Sequence, residues 1–194
     1  MASRRFSQAI AEGDGISVVV DVRGDADARS AEQQGAEALV VHGDIGAVRA
    51  STELPILIRS IEALAEAANA GADACMLSVT QHADDPERLV ALHREALELG
   101  LDCVVEVRDE EELELALEQL DAEIFLLAAN GDNDDPLESA LELLPDVPAG
   151  KLAVADVEIA QRSHIDELER AGVDAVIVRA GNVAELVGDT PPPV

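Results

Sequence analysis

Eight short apolar runs recur along the chain, and a segment with helical character follows nearly every one of them. The runs are ISVVVDV (16–22), ALVVHGD (38–44), LPILIRS (54–60), ACMLSVT (74–80), DCVVEVR (102–108), EIFLLAA (123–129), KLAVADV (151–157) and AVIVRAG (175–181). Continuous apolar runs of this length are typical of parallel strands that are buried on both faces. Such strands need helices on the outside of the sheet, so the alternation predicts an α/β fold.

The segments between the runs carry helix signals, including a proline at the start of one helix and glycines just after the ends of others. The predicted helices are Ala26–Gln34, Ile61–Ala70, Pro86–Leu99, Glu110–Leu120, Pro136–Leu144, Glu158–Ala171 and Val183–Val187, with at most one turn in 45–52. The related phrases GAEALVV, GADACML and GVDAVIV precede three of the strands, which indicates a repeated unit.

This repetition predicts a single (β/α)8 TIM barrel over residues 1–190, with 191–194 as a frayed C-terminal tail. An open, doubly wound sheet is the alternative, since the number of strands alone does not prove closure. Neither GxGxxG nor GxxxxGK[ST] follows the first run, which argues against a nucleotide-binding site.

The charge of the chain restricts its partners. Its formal net charge is -28, and Lys151 is the only lysine. Such a protein is repelled by nucleic acid and by anionic membranes. No apolar run approaches the roughly 18 residues that a membrane span needs, and the N-terminus lacks the apolar stretch of a secretory signal. We therefore expect a cytoplasmic protein. Its acidic composition indicates adaptation to high salt, and the alternative is an acidic protein from a GC-rich genome, which favours Arg over Lys.

The cysteines and histidines give no metal or cofactor signature. Cys75 and Cys103 each lie at the start of a predicted strand, where a small buried thiol is expected. His93 and His164 fall in helical patterns and are predicted to lie on the surface. The sequence therefore implies neither a metal nor another cofactor.

Four segments carry a resemblance to a known family. VVEVRDEEELELAL, LPILIRS, GADACMLSVT and GVDAVIVRAGNV resemble the fifth, third, fourth and eighth units of the indole-3-glycerol phosphate synthase family. The similarity extends in order from about Ile16 to Leu186. It implies a barrel related to a carbon-carbon lyase of tryptophan biosynthesis, which closes an indole ring by decarboxylation and dehydration with lysines as acids and a glutamate as base.

The resemblance also implies a set of site residues at the ends of the strands. Glu106 matches the fifth-strand glutamate, whereas Arg23 and Arg59 stand where the family has catalytic lysines. The other matched positions are Asp21 and Asp156, with Arg179, Gly181 and Asn182 at the family's phosphate site. The family's asparagine at the end of the sixth strand has Asn130 as its nearest counterpart, after two alanines in LLAAN. Arginine stays charged and is a poor general acid, but it binds carboxylate or phosphate by parallel hydrogen bonds. In comparison with that family, we expect shorter loops after the first three strands and no counterpart of its N-terminal extension.

Two assignments stay open at this point. Glu106 is either a base that faces a ligand or a buried acid neutralised by Arg23 or Arg59. Arg179 either binds an anion or pairs with Asp156 or Glu158 across the barrel mouth.

Three functions are compatible with these residues: a diverged barrel with an anion pocket and impaired or altered lyase activity, an active lyase of the family, and a non-catalytic barrel that acts through protein contacts. The partner we expect is a small phosphorylated or carboxylate ligand, with the protein a monomer or small homo-oligomer.

Overall fold

The computed structural model describes residues 5–12, 15–59, 63–128, 135–159, 161–181 and 183. The strands are β1 (Ser17–Val22), β2 (Ala38–Val41), β3 (Ile56–Ile58), β4 (Ala74–Ser78), β5 (Asp102–Val107), β6 (Ile124–Ala128), β7 (Leu152–Asp156) and β8 (Ala175–Arg179). The helices of these ranges are α1 (Arg5–Ala11), α2 (Asp25–Gln33), α3 (Ile45–Arg49), α4 (Leu64–Ala70), α5 (Pro86–Glu98), α6 (Glu110–Gln119), α7 (Pro136–Leu143) and α8 (Arg162–Ala171).

The strands form one closed parallel barrel in the order β1 to β8. Closure is made by the pairing of β1 with β8, in which Val19 lies opposite Ile177. The predicted (β/α)8 barrel is confirmed, and the open sheet considered as its alternative is wrong.

Strand residues alternate between two apolar cores. One core fills the lumen and includes Val19, Val40, Leu57, Met76, Val104, Leu126, Val154 and Ile177. The residues between them on each strand belong to a second core under the surrounding helices. This alternation explains why the strand runs are apolar throughout, because both faces of every strand are buried.

Helix α1 closes the N-terminal end of the barrel and was not predicted from the sequence. Phe6 and Ile10 belong to the lumen core and are 0% and 2% exposed. The Ser7 backbone N–H donates to Asp102 Oδ2 at 2.7 Å, at the first residue of β5. The apolar face of α1 therefore covers the end of the barrel that lies opposite the carboxyl ends of the strands.

Most predicted helices are confirmed within one or two residues, and side-chain caps set several of their starts. Asp85, Asp109 and Asp135 each accept hydrogen bonds from backbone N–H groups in the first turn of α5, α6 and α7. Helix α8, between β7 and β8, begins at Arg162, whereas the sequence predicted a start at Glu158. The difference arises because residues 157–159 continue from β7 along the barrel mouth.

The predicted helix Val183–Val187 and the predicted tail 191–194 lie outside the described residues, apart from Val183. Within the described ranges, no helix combines the length and the apolar character needed to cross a bilayer.

The burial of the cysteines is confirmed, whereas the predicted surface position of His93 is wrong. Cys75 and Cys103 are 0% and 5% exposed, and His93 is only 7% exposed. His93 faces the sheet because it follows Leu89 and Leu92 on the buried stripe of α5.

Candidate functional site

The carboxyl ends of the strands bring a ring of charged side chains to the barrel mouth. Asp21, Glu106, Asp156 and Arg179 each lie two residues beyond a lumen-core residue on the same strand, and Arg59 holds the same position just after β3. Side chains two residues apart on a strand share a face, so all five belong to the lumen side of the barrel wall. Strand parity in the sequence placed Glu106 correctly relative to Val104.

Arg59 and Asp156 form an ion pair across the mouth, from the end of β3 to the end of β7. The Arg59 Nη2 atom donates to Asp156 Oδ2, and the two side chains are 23% and 26% exposed. Arg59 Nε is buried and has no hydrogen-bond partner. With Asp21, Glu158 and Arg179, the pair lines a cavity of about 180 Å³.

Glu106 is a buried acid with a nearby partner, but the partner is neither Arg23 nor Arg59. Its residue exposure is 6%, and its Oε2 atom lies 3.6 Å from Nη2 of Arg108, the residue that follows β5. Ser78, its register neighbour on β4, is also buried, and its Oγ atom has no hydrogen-bond partner. The acid is therefore paired as expected, although with a residue on its own chain segment.

Arg23 and Arg179 make no ion pair within the described residues, in contrast to Arg59. Both side chains are exposed, and both line a cavity of about 420 Å³ between the ends of β1 and β8. Gly181 lies on the wall of this cavity and has a φ of 117°, which favours glycine. The expected alternative, a pair between Arg179 and Asp156 or Glu158, is not formed.

The cavity between β1 and β8 also contains carboxylates. Asp21 and Asp27 are part of its lining, and Asp27 Oδ2 accepts a hydrogen bond from the Arg23 backbone N–H at 3.1 Å. The remaining matched positions, Asn130 and Asn182, lie outside the described residues.

His42 also lies at the mouth, although it was not among the site residues predicted from the sequence. Its Nε2 atom lies 3.0 Å from Asp21 Oδ2, and its side chain is 51% exposed. His42 lies two residues after Val40, a lumen residue of β2. The strand parity that places Glu106 on the lumen side applies equally to His42 in the run ALVVHGD, and it is the signal in the sequence for this residue.

The cysteines lie away from this mouth. Cys75 and Cys103 are neighbours on β4 and β5, with 3.8 Å between their Sγ atoms, and they face the helices. The hydrogen bond with Cys75 and then burial raise the pKa of the Cys103 thiol, which disfavours a nucleophilic thiolate. Among the described residues, no group of three or more His, Cys, Asp and Glu side chains could hold a metal ion.

Comparison with known proteins agrees with this architecture. The chain is similar to the N-acetylmannosamine-6-phosphate 2-epimerase from Clostridium perfringens, with a TM-score of 0.72, 15% identity, and 87% of this chain and 88% of that chain covered. It is also similar to a candidate phosphonomutase from Burkholderia cenocepacia J2315, with a TM-score of 0.65, 14% identity, and 90% of both chains covered. At these identities the likeness shows the fold alone.

The family model described as indole-3-glycerol phosphate synthase matches residues 21–181, most of the chain and all of the barrel mouth described above. The match agrees with the four resembling segments of the sequence, and the chain belongs to the indole-3-glycerol phosphate synthase family.

Proposed function

We propose that this chain is a diverged member of its family that binds a small phosphorylated or carboxylate compound between Arg23 and Arg179, with the ring-closing lyase activity impaired or altered. The observation that carries the proposal is that these two arginines face a shared cavity without a carboxylate partner in the part of the chain that the structure describes. Both line one cavity of about 420 Å³, and neither is paired with a carboxylate among the described residues.

An anion can satisfy these guanidinium groups. Each guanidinium presents a planar set of N–H donors that matches the oxygens of a phosphate or carboxylate. Gly181 lets the backbone approach the cavity without a side chain. Asp21 and Asp27 oppose the anion, so the site needs both arginines to hold it.

Proton transfer by the family's route is disfavoured because Arg59 and Glu106, which match its catalytic acid and base, each lie beside an oppositely charged side chain. Arg59 is bound to Asp156 and keeps its proton, as guanidinium groups do at neutral pH. Glu106 is near Arg108 and does not line either cavity of the mouth. A base that is buried beside an arginine and away from the cavities is poorly placed to reach a ligand.

Binding of inorganic phosphate at constant neutral pH in molar NaCl tests the proposal, with calorimetry and melting temperature as readouts. We expect Arg179→Gln and Arg23→Gln each to weaken binding about tenfold or more, because each removes charge-assisted hydrogen bonds. Arg94→Gln is the matched control, since Arg94 is an exposed arginine on α5. Equal phosphate binding by all four proteins would contradict the proposed site.

An active lyase is the second candidate, favoured by the position of Glu106 on the lumen face of β5. The same preparation is incubated with the family's indole precursor. Indole product that disappears in Glu106→Gln would support this candidate and overturn the impairment proposed above. A stable complex with another protein, without any response to phosphate, would instead favour a role in protein contacts.

A further inference from the structure

A contact between His42 and Asp21 joins a cavity at the rim of the barrel, lined by His42, to the proposed anion site, lined by Asp21. His42 follows β2, and its Nε2 atom lies 3.0 Å from Asp21 Oδ2 on β1. Asp21 and Arg179 are the two residues that line both the larger and the smaller cavity of the mouth. The charge of the His42–Asp21 pair therefore acts where the two cavities meet.

Protonation changes the charge of this pair. With a neutral imidazole, the pair carries the negative charge of the Asp21 carboxylate, which repels an anion in the cavity. With an imidazolium, the pair is neutral overall, and the positive charges of Arg23 and Arg179 dominate the site. The distance of 3.0 Å permits a charge-assisted hydrogen bond from imidazolium to carboxylate.

Other charged residues surround His42, but their side chains belong to classes that ordinarily keep their charge near neutral pH. Asp44 at the start of α3 and Glu66 on α4 line a rim cavity together with His42, and Arg59 follows the neighbouring strand β3. Carboxylates and guanidinium groups ordinarily stay charged between about pH 5 and pH 8, whereas imidazole ordinarily changes charge in this range. Imidazole is thus the side-chain class in this part of the mouth whose charge ordinarily changes over this range.

We propose that His42 is the proton-binding residue of the anion site, and that its protonation, acting through Asp21, is coupled to the binding of an anion between Arg23 and Arg179. The inference rests on the proposed anion site and adds a residue and a regulation to it. Coupling of this kind is reciprocal: the proton strengthens anion binding, and the bound anion strengthens proton binding by the same factor. His42 does not contact the ligand itself; it acts by offsetting the negative charge of Asp21, and it is therefore a positioning residue.

Sulfate is the probe, because it remains a dianion over the pH range of interest and its own titration cannot produce the effect. Calorimetry at constant ionic strength gives its dissociation constant between about pH 5 and pH 8. In the wild-type protein we expect affinity to rise about tenfold towards the acidic end, within the usual range of site-to-site coupling.

Two variants separate the parts of the pair. Asp21→Asn removes the repelling charge and should bind sulfate tightly at both ends of the range. His42→Gln keeps the charge of Asp21 and should bind weakly at both ends. His82→Gln is the matched control: His82 lies beside β4, where its Nδ1 atom contacts the Ser78 carbonyl oxygen, and its loss should leave the wild-type dependence in place.

Imidazole proton resonances give the reciprocal readout and do not depend on the stability of a variant. Sulfate should move the titration midpoint of His42 upwards in the wild-type protein, whereas a surface pair with no link to the site would not respond. An unmoved midpoint, or sulfate binding of equal strength at every pH, would overturn the coupling while leaving the anion site intact. No sulfate binding at any pH would instead reject the anion site and the inference built on it.

Discussion

At the scale of single residues, the charged side chains of the barrel mouth differ in what they face: Arg59 and Glu106 lie beside partners within the protein, whereas Arg23 and Arg179 face a cavity. The lumen side of Glu106 follows from the two-residue period of a strand, which is a local property. Its pairing with Arg108, and that of Arg59 with Asp156, depend on how far each side chain reaches at the mouth. Such choices among several nearby charges are set by the closed barrel. Of the two assignments left open for Glu106, the structure shows a buried acid, but its partner is Arg108 and neither Arg23 nor Arg59.

His93 shows a second property that only the packed structure determines. Burial lowers the pKa of this imidazole from its ordinary value of 6.5, although Asp121 opposes the shift. The Nε2 atom is buried without a hydrogen-bond partner. The neutral ring fits beside the sheet, but the charged ring would lose hydration that the site does not replace.

This burial predicts that His93 makes the fold less stable in mild acid. Between the lowered pKa of His93 in the folded protein and its ordinary value of 6.5, the unfolded chain binds more protons at this residue than the folded protein does. The free energy of unfolding therefore falls as the pH decreases through this window. Urea unfolding along a pH series measures the effect. His93→Gln should show a shallower decrease than the wild-type protein, and parallel curves would contradict the prediction.

At the scale of elements, the strands were predictable because both of their faces are buried, so each reads as an apolar run. Helix α1 was not, because its seven residues are anchored by only two large apolar side chains, Phe6 and Ile10. So short a helix has little stability of its own and forms because the barrel end binds it. Its existence is a tertiary effect that no local pattern of the chain carries.

Removing the larger anchor of α1 should therefore destabilise the whole barrel. Phe6 is fully buried in the lumen core, and Phe→Ala changes in protein cores typically cost about 3–5 kcal/mol of unfolding free energy. Urea unfolding of Phe6→Ala in molar NaCl measures the loss. Leu97→Ala, at a side chain that is 47% exposed, is the control and should change stability by less than about 0.5 kcal/mol. A similar small effect at Phe6 would show that α1 does not seal the barrel.

At the scale of the whole molecule, closure was the property that the sequence left open. An open parallel sheet and a barrel both bury the two faces of their inner strands, so the apolar runs read alike in each. What distinguishes them is the pairing of β1 with β8, between residues about 160 positions apart, in which Ser17 lies opposite Ala175. The repetition of eight βα units and the resemblance to a barrel family favoured closure, which the apolar runs by themselves could not establish.

The net charge of -28 is also a property of the whole molecule, and it predicts that salt stabilises the fold. Folding concentrates carboxylates on a compact surface, where they repel one another more than in an extended chain. The Debye length falls from about 30 Å at 0.01 M salt to about 3 Å at 1 M, so added NaCl removes most of this repulsion. Each kcal/mol recovered raises the melting temperature of a domain of this size by about 2–4 °C.

Melting temperatures measured across this NaCl series should rise by several degrees, with the steepest gain at low concentration where screening changes most. Sucrose at matched molarity is the control, because it favours burial by exclusion from the surface but does not screen charge. An equal rise of the melting temperature in sucrose would show that exclusion of the solute from the protein surface, and not charge screening, causes the effect. A melting temperature that stays constant from dilute to molar salt would mean that the acidic surface imposes no cost on this barrel, because its carboxylates are already far enough apart in water.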